Sequence, residues 1–125
     1  MLGWRKLEVW KKAHQLVLDI YTATKTFPTE ERFRLTDQLC RSVISTPANI
    51  VEGQSRQTTK EYLQFLYNAR GSLEETRYYL ILAKDLKYLS DEECKCLEES
   101  CEVISKMLNS LILSLKERQK VAQLS

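Results

Sequence analysis

Glycine and proline are scarce in this chain, which has three glycines and two prolines among 125 residues. A sheet protein needs many turns, and turns depend on these two residue types. Their scarcity therefore excludes a turn-rich all-β fold. Histidine occurs only once, as His14, and it has no cysteine or serine partner at a recognisable spacing. A helix-surface or seam position is the simplest interpretation of this residue.

Long apolar segments are also missing. The longest candidate, 111–115, is interrupted by Ser114 and followed by Lys116, whereas a membrane span needs about 20 apolar residues. The first six residues contain neither an apolar run nor the small-residue cleavage site of a secretory signal. We therefore expect a cytoplasmic protein with no membrane partner.

Cysteine patterns that bind metal are absent as well. The four cysteines are Cys40, Cys94, Cys96 and Cys101, and none of them forms a Cys-x-x-Cys pair. Residues two apart on a helix point in different directions, so Cys94 and Cys96 cannot share a ligand site there. Reduced thiols that serve as small apolar side chains fit this pattern better than zinc ligands. We predict no metal and no cofactor.

The net charge of the chain neither favours nor disfavours a nucleic-acid partner. Nineteen Lys and Arg residues nearly balance 17 Asp and Glu residues, which leaves a formal charge of +2. Only the distribution of charge can then favour or disfavour nucleic acid. The chain also has no Gly-rich phosphate loop and no nucleophile motif, so an enzyme or a small-molecule binder is the least expected class.

What the chain does contain is apolar residues spaced by three and four along four segments. They predict an all-α fold with helices at about 5–26, 30–53, 59–86 and 91–118, in one domain covering 1–125. The polar tail 119–125 is expected to fray. Short connections predict an antiparallel up-down-up-down four-helix bundle. The alternative is an extended pair of helical hairpins that completes its core only in a dimer.

Local signals mark the helix ends. Thr29 is expected to cap the second helix. Two Ser/Thr-x-x-Glu sequences, at 58–61 and 90–93, predict capping boxes at the starts of the third and fourth helices. Gly53 is typical of a helix C-terminus. Pro47 lies inside the second helix and predicts a kink there.

Several polar residues of the second and third helices are predicted to act in structure or subunit contact. We expect an Arg–carboxylate network between these helices, with Arg41 as a donor, and we expect Asn49 to satisfy a carbonyl freed by Pro47. Gly71 costs about 1 kcal/mol relative to alanine in mid-helix, which predicts close approach of a helix from the same protomer or a neighbouring subunit. The set comprises Arg41, Asn49, Glu52, Arg70, Gly71 and Glu74.

Five sequence segments carry a family resemblance. They are Leu7-Glu-Val-Trp-Lys-Lys-Ala13, Phe27-Pro28, Gln38-Leu-Cys-Arg41, Asn49-Ile-Val-Glu-Gly53 with Arg56, and Ala69-Arg-Gly-Ser-Leu-Glu-Glu75. Together they resemble the four-helix-bundle family of proteins encoded in intervening sequences of bacterial large-subunit ribosomal RNA genes. The chain departs from the family pattern at Arg34, where a glycine is usual, and at Cys40, where a small residue is usual.

The resemblance implies more than a fold. It implies a protomer that assembles into a cyclic homopentamer. It also implies kinship with the accessory variability proteins of diversity-generating retroelements, which bind a reverse transcriptase and nucleic acid. A reverse transcriptase is therefore an expected candidate partner, alongside further copies of the chain itself.

The expected topology separates the charges. It brings together the N-terminus, the connection between the second and third helices, and the C-terminus. The basic residues of this end, which we predict to bind nucleic acid, are Arg5, Lys6, Lys11, Lys12, Arg56, Lys60, Lys116, Arg118 and Lys120. Four acids accompany these nine cations, whereas at the other end nine acids outnumber six cations. The protomer is therefore expected to be dipolar.

Two tryptophans belong to the same basic end. Trp4 and Trp10 alternate with lysine and arginine, a pattern that suits stacking on single-stranded nucleic acid. The alternative is that Trp10 is a core residue and Trp4 anchors the terminus. From charge and resemblance together, we expect a non-enzymatic homo-oligomeric accessory protein that binds RNA or DNA. A protein-interaction scaffold with charged rims is the alternative.

Overall fold

The structure is a computed structural model that describes residues 3–124. Within this range the chain forms four α-helices, two 3-10 helices and no strand, which confirms the all-α class. The α-helices are α1 (Glu8–Thr24), α2 (Leu35–Gln54), α3 (Thr59–Asp85) and α4 (Asp91–Leu124). The 3-10 helices are Trp4–Lys6 and Thr29–Glu31. No helix in this part of the chain is both long and apolar enough to cross a membrane.

The core lies along the predicted apolar seams. On α3 all the seam residues except the partly exposed Tyr62 are buried, namely Leu66, Ala69, Leu73, Thr76, Leu80 and Ala83. On α4 the spacing by three and four predicts Leu111 as a seam residue, but its side chain is only partly covered and that of Ile112 is buried instead. The seam steps by four residues after Leu108, because 3.6 residues make a turn and a strict seven-residue repeat drifts off the core.

The first helix begins later than predicted. Leu7 has extended backbone angles, φ −69° and ψ 123°, and separates the 3-10 helix Trp4–Lys6 from α1. This bend places the ring of Trp4 edge-on to that of Trp10, with 4.9 Å between centroids. A continuous helix from residue 5 is therefore wrong, because the aromatic contact holds the N-terminal segment back against α1.

The start of α2 also differs from prediction, since Thr29 makes no side-chain cap and the helix begins only at Leu35. Instead Glu31 supplies the cap, because its carboxylate accepts the Leu35 N–H at 3.3 Å. The same carboxylate accepts the Tyr88 hydroxyl at 2.8 Å. Tyr88 lies in the α3–α4 connection, so this bond links the two connections at one end of the bundle.

The Tyr88 contact predicts a pH-dependent stability. The hydrogen bond from Tyr88 and that from Leu35 lower the pKa of Glu31 in the folded chain. A carboxyl whose folded pKa is lowered stabilises the fold above its unfolded pKa, and this contribution disappears as pH falls through the folded pKa. The thermal midpoint of Tyr88→Phe should therefore lie below that of the wild type at neutral pH. The gap should narrow in acid, and a gap that is independent of pH would contradict this assignment.

The tight glycine contact occurs at Gly53. This residue is buried inside α2, which continues to Gln54 and so is not ended by Gly53 itself. A Cβ at Gly53 would lie 2.8 Å from Cδ1 of Tyr62 and 3.0 Å from Cβ of Phe65. A Cβ at Gly71 would meet no atom within 4 Å. The expectation that a helix of the same protomer approaches Gly71 is therefore wrong, and that of a neighbouring subunit remains a prediction.

Alanine at Gly53 is expected to destabilise the fold. In an open helical position Gly→Ala stabilises by about 0.5–1 kcal/mol, but here the new methyl overlaps Tyr62 and the backbone-proximal Cβ of Phe65. Overpacking costs about 1–3 kcal/mol, so the net loss should be about 1 kcal/mol. Urea unfolding measures it. A stabilised Gly53→Ala protein would show that α2 and α3 are not so close.

The last helix is longer than expected. It continues to Leu124, past the predicted end at about 118, so the prediction of fraying is wrong for 119–124, and Ser125 lies outside the described residues. The last buried side chain of α4 is Leu115. The following residues include Lys, Glu, Arg, Gln and Ala but no glycine or proline. Their high helix propensity accounts for the continuation.

Candidate nucleic-acid interface

Three separate segments of the chain lie together at one end of the molecule. A Cβ at Gly3 would lie 3.5 Å from Nε2 of Gln54, so the N-terminal segment borders the end of α2. The ammonium of Lys116 lies 5.5 Å from the ring centroid of Tyr67, so the end of α4 borders the first turns of α3. We call the nine cations that these segments carry the basic end: Arg5, Lys6, Lys11, Lys12, Arg56, Lys60, Lys116, Arg118 and Lys120.

Aromatic rings hold several of these cations in place. The guanidinium of Arg5 lies 5.1 Å from the ring centroid of Trp4, and that of Arg56 lies 4.5 Å from Phe65. Contacts of this length are attractive cation–π interactions. These ring contacts order otherwise flexible side chains without neutralising their charge.

The pKa of Tyr62 reflects the positive charge of the basic end. Burial raises the pKa of its hydroxyl, and the nearby positive charge of Arg118 opposes that rise. Arg118 lies on α4 and Tyr62 in the first turn of α3. The electrostatic contact therefore extends the basic end across both helices.

Few of the nine cations are neutralised inside the protomer. Lys11 pairs with Glu8 at 3.2 Å, and Arg56 pairs with Glu52 at 2.8 Å. The other seven are exposed and form no ion pair with a carboxylate of residues 3–124. A cluster of exposed, unpaired cations is the feature that phosphate backbones recognise.

The two tryptophans form an aromatic row along the start of the chain. Trp4 and Trp10 are both partly exposed, and the imidazole of exposed His14 stacks on Trp10 at 5.1 Å with an interplanar angle of 4°. Trp10 packs against the core, and Trp4 leans on Trp10. The two tryptophans can therefore anchor the N-terminal segment and still leave ring surface exposed for stacking on a base.

The predicted Arg–carboxylate network between α2 and α3 is wrong. Arg41 donates to Asp37 on its own helix at 3.3 Å, and Glu52 pairs with Arg56, just beyond the end of α2, at 2.8 Å. Arg70 instead donates to Asn109 of α4 at 3.1 Å. Charged contacts thus link α3 to α4, and a second example is the series Glu74–Arg77–Glu102 with distances of 3.4 and 3.1 Å.

Hydrogen-bonded hydroxyl groups join α2 to α3 where the Arg–carboxylate network was expected. The sequence analysis did not predict this hydroxyl cluster. The hydroxyls of Ser42 and Thr76 lie 2.9 Å apart, as do those of Ser45 and Ser72. Thr46 donates to the carbonyl of Ala69 at 3.5 Å. Ser42, Thr46 and Thr76 are buried. The signal was present as Ser and Thr at helical spacing on two neighbouring helices.

Asn49 belongs to the edge of that hydroxyl cluster. Its amide donates to the carbonyl of Ser45 at 2.8 Å and contacts the Ser45 hydroxyl at 3.0 Å. The carbonyl that loses its helical donor to Pro47 is four residues earlier, at Val43. Asn49 therefore satisfies a neighbouring carbonyl and not the one expected, while α2 continues through the proline.

The four thiols differ in burial. Cys94 and Cys101 are buried, Cys40 is partly buried and Cys96 is exposed. Burial raises the pKa of Cys101 to about 12, which keeps it protonated and unreactive. Across 3–124 no three His, Cys, Asp or Glu side chains are placed to hold a metal ion.

Known proteins resemble this chain in sequence and fold. A family model described as 23S rRNA-intervening sequence protein matches residues 5–110. The crystal structure of a protein with unknown function from the S23 ribosomal protein family of Bacteroides thetaiotaomicron is similar, with 28% sequence identity and a TM-score of 0.77. That match covers 83% of this chain and 97% of the other. No curated protein matches the chain.

The family model spans all five sequence segments that carry the resemblance, and the fold of the S23 relative agrees with it. The chain therefore belongs to the 23S rRNA-intervening sequence protein family.

Proposed function

We propose that this chain is a non-enzymatic, homo-oligomeric accessory protein that binds nucleic acid through its basic end. The observation that carries the proposal is the group of seven exposed cations without a carboxylate partner in 3–124, on three segments that lie together. Phosphate neutralisation by such cations releases counterions and drives sequence-independent binding. No catalytic role is proposed.

The proposed arrangement is an antiparallel up-down-up-down bundle that assembles as a cyclic homopentamer. Contacts at both ends support the antiparallel order, since Gly3 borders Gln54 and Thr24 lies 4.0 Å from Cys40. In a ring whose axis follows the helices, every basic end points the same way. The cations would then add up along one rim, and the attraction for a polyanion would grow accordingly.

Single-stranded nucleic acid, RNA or DNA, is the ligand that the site fits best. Partly exposed Trp4 and Trp10 lie beside cations of the same end, and aromatic rings combined with basic residues are typical of surfaces that bind single strands. A reverse transcriptase is a proposed partner in the same complex, because the sequence resemblance implies kinship with retroelement accessory proteins. A reverse-transcriptase gene beside the gene for this chain would support a role as a retroelement accessory protein. A location within a ribosomal RNA operon would instead support a role as an intervening-sequence protein.

Binding of labelled single-stranded RNA across a salt series tests the proposal. Fluorescence anisotropy should show saturable binding at low salt, with the logarithm of the affinity falling linearly with the logarithm of salt concentration. The slope reports the number of phosphates neutralised, at about 0.7 per contact for a single strand. No binding even at the lowest salt would refute the proposed function.

A protein-interaction scaffold is the second candidate, and the opposite end of the bundle supports it. The side chain of Phe33 is 82% exposed and that of Leu86 is 45% exposed, in a region where acids outnumber cations. Apolar side chains in an acidic setting suit a basic protein partner. Phe33→Ser should weaken capture of such a partner and leave RNA affinity unchanged, which separates the two candidates.

A further inference from the structure

Gly71 has no visible reason to be glycine within the protomer. It lies in the middle of α3, it is exposed, and a Cβ built there would meet nothing within 4 Å. Glycine is unfavourable in mid-helix because it loses more backbone freedom than alanine on folding. A contact outside the protomer that needs the missing side chain would offset that cost.

The surroundings of Gly71 form a continuous strip on α3. Gln64, Gly71 and Tyr78 repeat every seven residues, so they line up along the helix, and Glu75 lies one turn beyond the glycine. The ring of Tyr78 is 59% exposed. We call this strip, which consists of Gln64, Asn68, Gly71, Glu75 and Tyr78, the Gly71 face. It is shallow at its centre and acidic and aromatic on one side.

A second exposed strip lies on α1 and α2. Leu18 is 48% exposed, Tyr21 47% and Ile44 41%. The contact between Thr24 and Cys40 places the end of α1 against the first half of α2, which brings Ile44 to the same region as Tyr21. Lys25, the residue directly after α1, keeps helical backbone angles of φ −58° and ψ −27°. It follows Leu18 by seven residues, so it continues the same side of the helix. We call Leu18, Tyr21, Ile44 and Lys25 the Leu18 patch.

The two strips match in level along the bundle. Both α1 and α3 begin at the basic end, and a helix rises about 1.5 Å per residue. Leu18 and Tyr21 then lie about 15 and 20 Å from the start of α1, and Gly71 lies about 18 Å from the start of α3. Lys25 and Glu75 lie about 26 and 24 Å from the same end. A rotation about an axis parallel to the helices brings together points at equal levels.

We propose that the Gly71 face seats the Leu18 patch of a second copy of this chain. Leu18 and Tyr21 pack into the depression left by Gly71, and Lys25 pairs with Glu75. Neither charge has an ion-pair partner within residues 3–124, so the pairing is complementary in sign and unopposed. The two faces differ, so the contact is heterologous and repeats around a ring. This inference rests on the homo-oligomer of the proposed function.

Substitutions at Gly71 test the contact by analytical ultracentrifugation. Gly71→Leu should raise the dissociation constant of the assembly about tenfold or more, because the side chain occupies the seat of Leu18. Circular dichroism should show an intact helical fold, since the position is open within the protomer. Ser114→Leu, also exposed but on α4 and outside both strips, should leave assembly unchanged. Equal assembly of Gly71→Leu and wild type would overturn the inference.

Charge reversal provides a test that does not depend on packing. Lys25→Glu and Glu75→Lys should each weaken assembly, because each sets two like charges at the contact. The double variant restores one opposite-charge pair per interface and should recover most of the wild-type association. Additive losses in the double variant would overturn the pairing of these two residues.

The oligomeric state of the wild type separates the Gly71 contact from the proposed homo-oligomer. A wild-type protein that assembles regardless of these variants would overturn the Gly71 contact alone. A wild type that is monomeric at all concentrations would overturn both the contact and the proposed homo-oligomer. RNA binding is judged by its own titration in either case, because neither strip includes a cation of the basic end.

Discussion

Replacing Lys11 and Lys12 with glutamate is expected to lower the affinity for single-stranded RNA by about 10- to 100-fold at low salt. Both lysines are exposed and belong to the basic end. The reversal removes the unpaired cation of Lys12 and the Glu8-paired cation of Lys11 and adds two repulsive charges, so the salt slope should also fall by about 0.7 to 1.4. The fold should survive, because acidic residues near the N-terminus of α1 complement the helix dipole.

A matched reversal at the opposite end provides the control. Lys87 and Lys95 are exposed and lie in the α3–α4 connection and near the start of α4, away from the basic end. Lys87→Glu with Lys95→Glu therefore changes the net charge by the same amount. This variant should bind RNA with nearly wild-type affinity. An equal loss in both variants would show that only net charge matters and would contradict a localised binding surface.

Removing the Thr76 hydroxyl is expected to cost about 1–3 kcal/mol of unfolding free energy. Thr76 is fully buried and its hydroxyl lies 2.9 Å from that of Ser42 and 2.9 Å from the carbonyl of Ser72. Thr76→Val keeps the shape of the side chain. It leaves buried oxygen atoms without one of their partners, and that desolvation cost is the source of the loss. Urea unfolding measures it.

The double variant shows whether the two hydroxyls act as a pair. Replacing both members of a buried hydrogen bond with apolar groups is often nearly neutral. Ser42→Ala combined with Thr76→Val should therefore cost less than the sum of the single changes, a coupling of about 0.5 kcal/mol or more. Strict additivity would mean that Ser42 and Thr76 contribute to α2–α3 packing independently.

Local signals predicted α3 well, and long-range contacts explain what they missed elsewhere. The capping box at Ser90 and Glu93 is confirmed, because the side chain of each residue accepts the backbone N–H of the other. At the start of α3 only half of the predicted box forms, since the Thr58 hydroxyl accepts the Glu61 N–H but the Glu61 carboxylate accepts the Thr58 hydroxyl and not its N–H. Both caps depend on side chains only three residues apart. The start of α2 depends instead on a bond between Glu31 and Tyr88, which are 57 residues apart. No local pattern contains that information.

The candidate site shows the same division. The contacts of Gly3 with Gln54 and of Lys116 with Tyr67 bring together the three segments of the basic end. Charge counts along the chain leave nucleic-acid binding by these cations a prediction. They could not predict the partners of individual arginines. Arg70 lies on a flank of α3 from which a long side chain can reach either neighbouring helix, and it contacts α4. The close approach at Gly53 likewise depends on the packing of Tyr62 and Phe65, which helical spacing alone does not determine.

Tryptophan fluorescence tests the location of RNA binding most directly. The chain has two tryptophans, Trp4 and Trp10, and both lie at the basic end beside Arg5. Adding single-stranded oligouridylate should change their emission saturably, and added salt should reverse the change. Unchanged emission at RNA concentrations that saturate the anisotropy signal, or no binding by either readout, would contradict a nucleic-acid interface at this end.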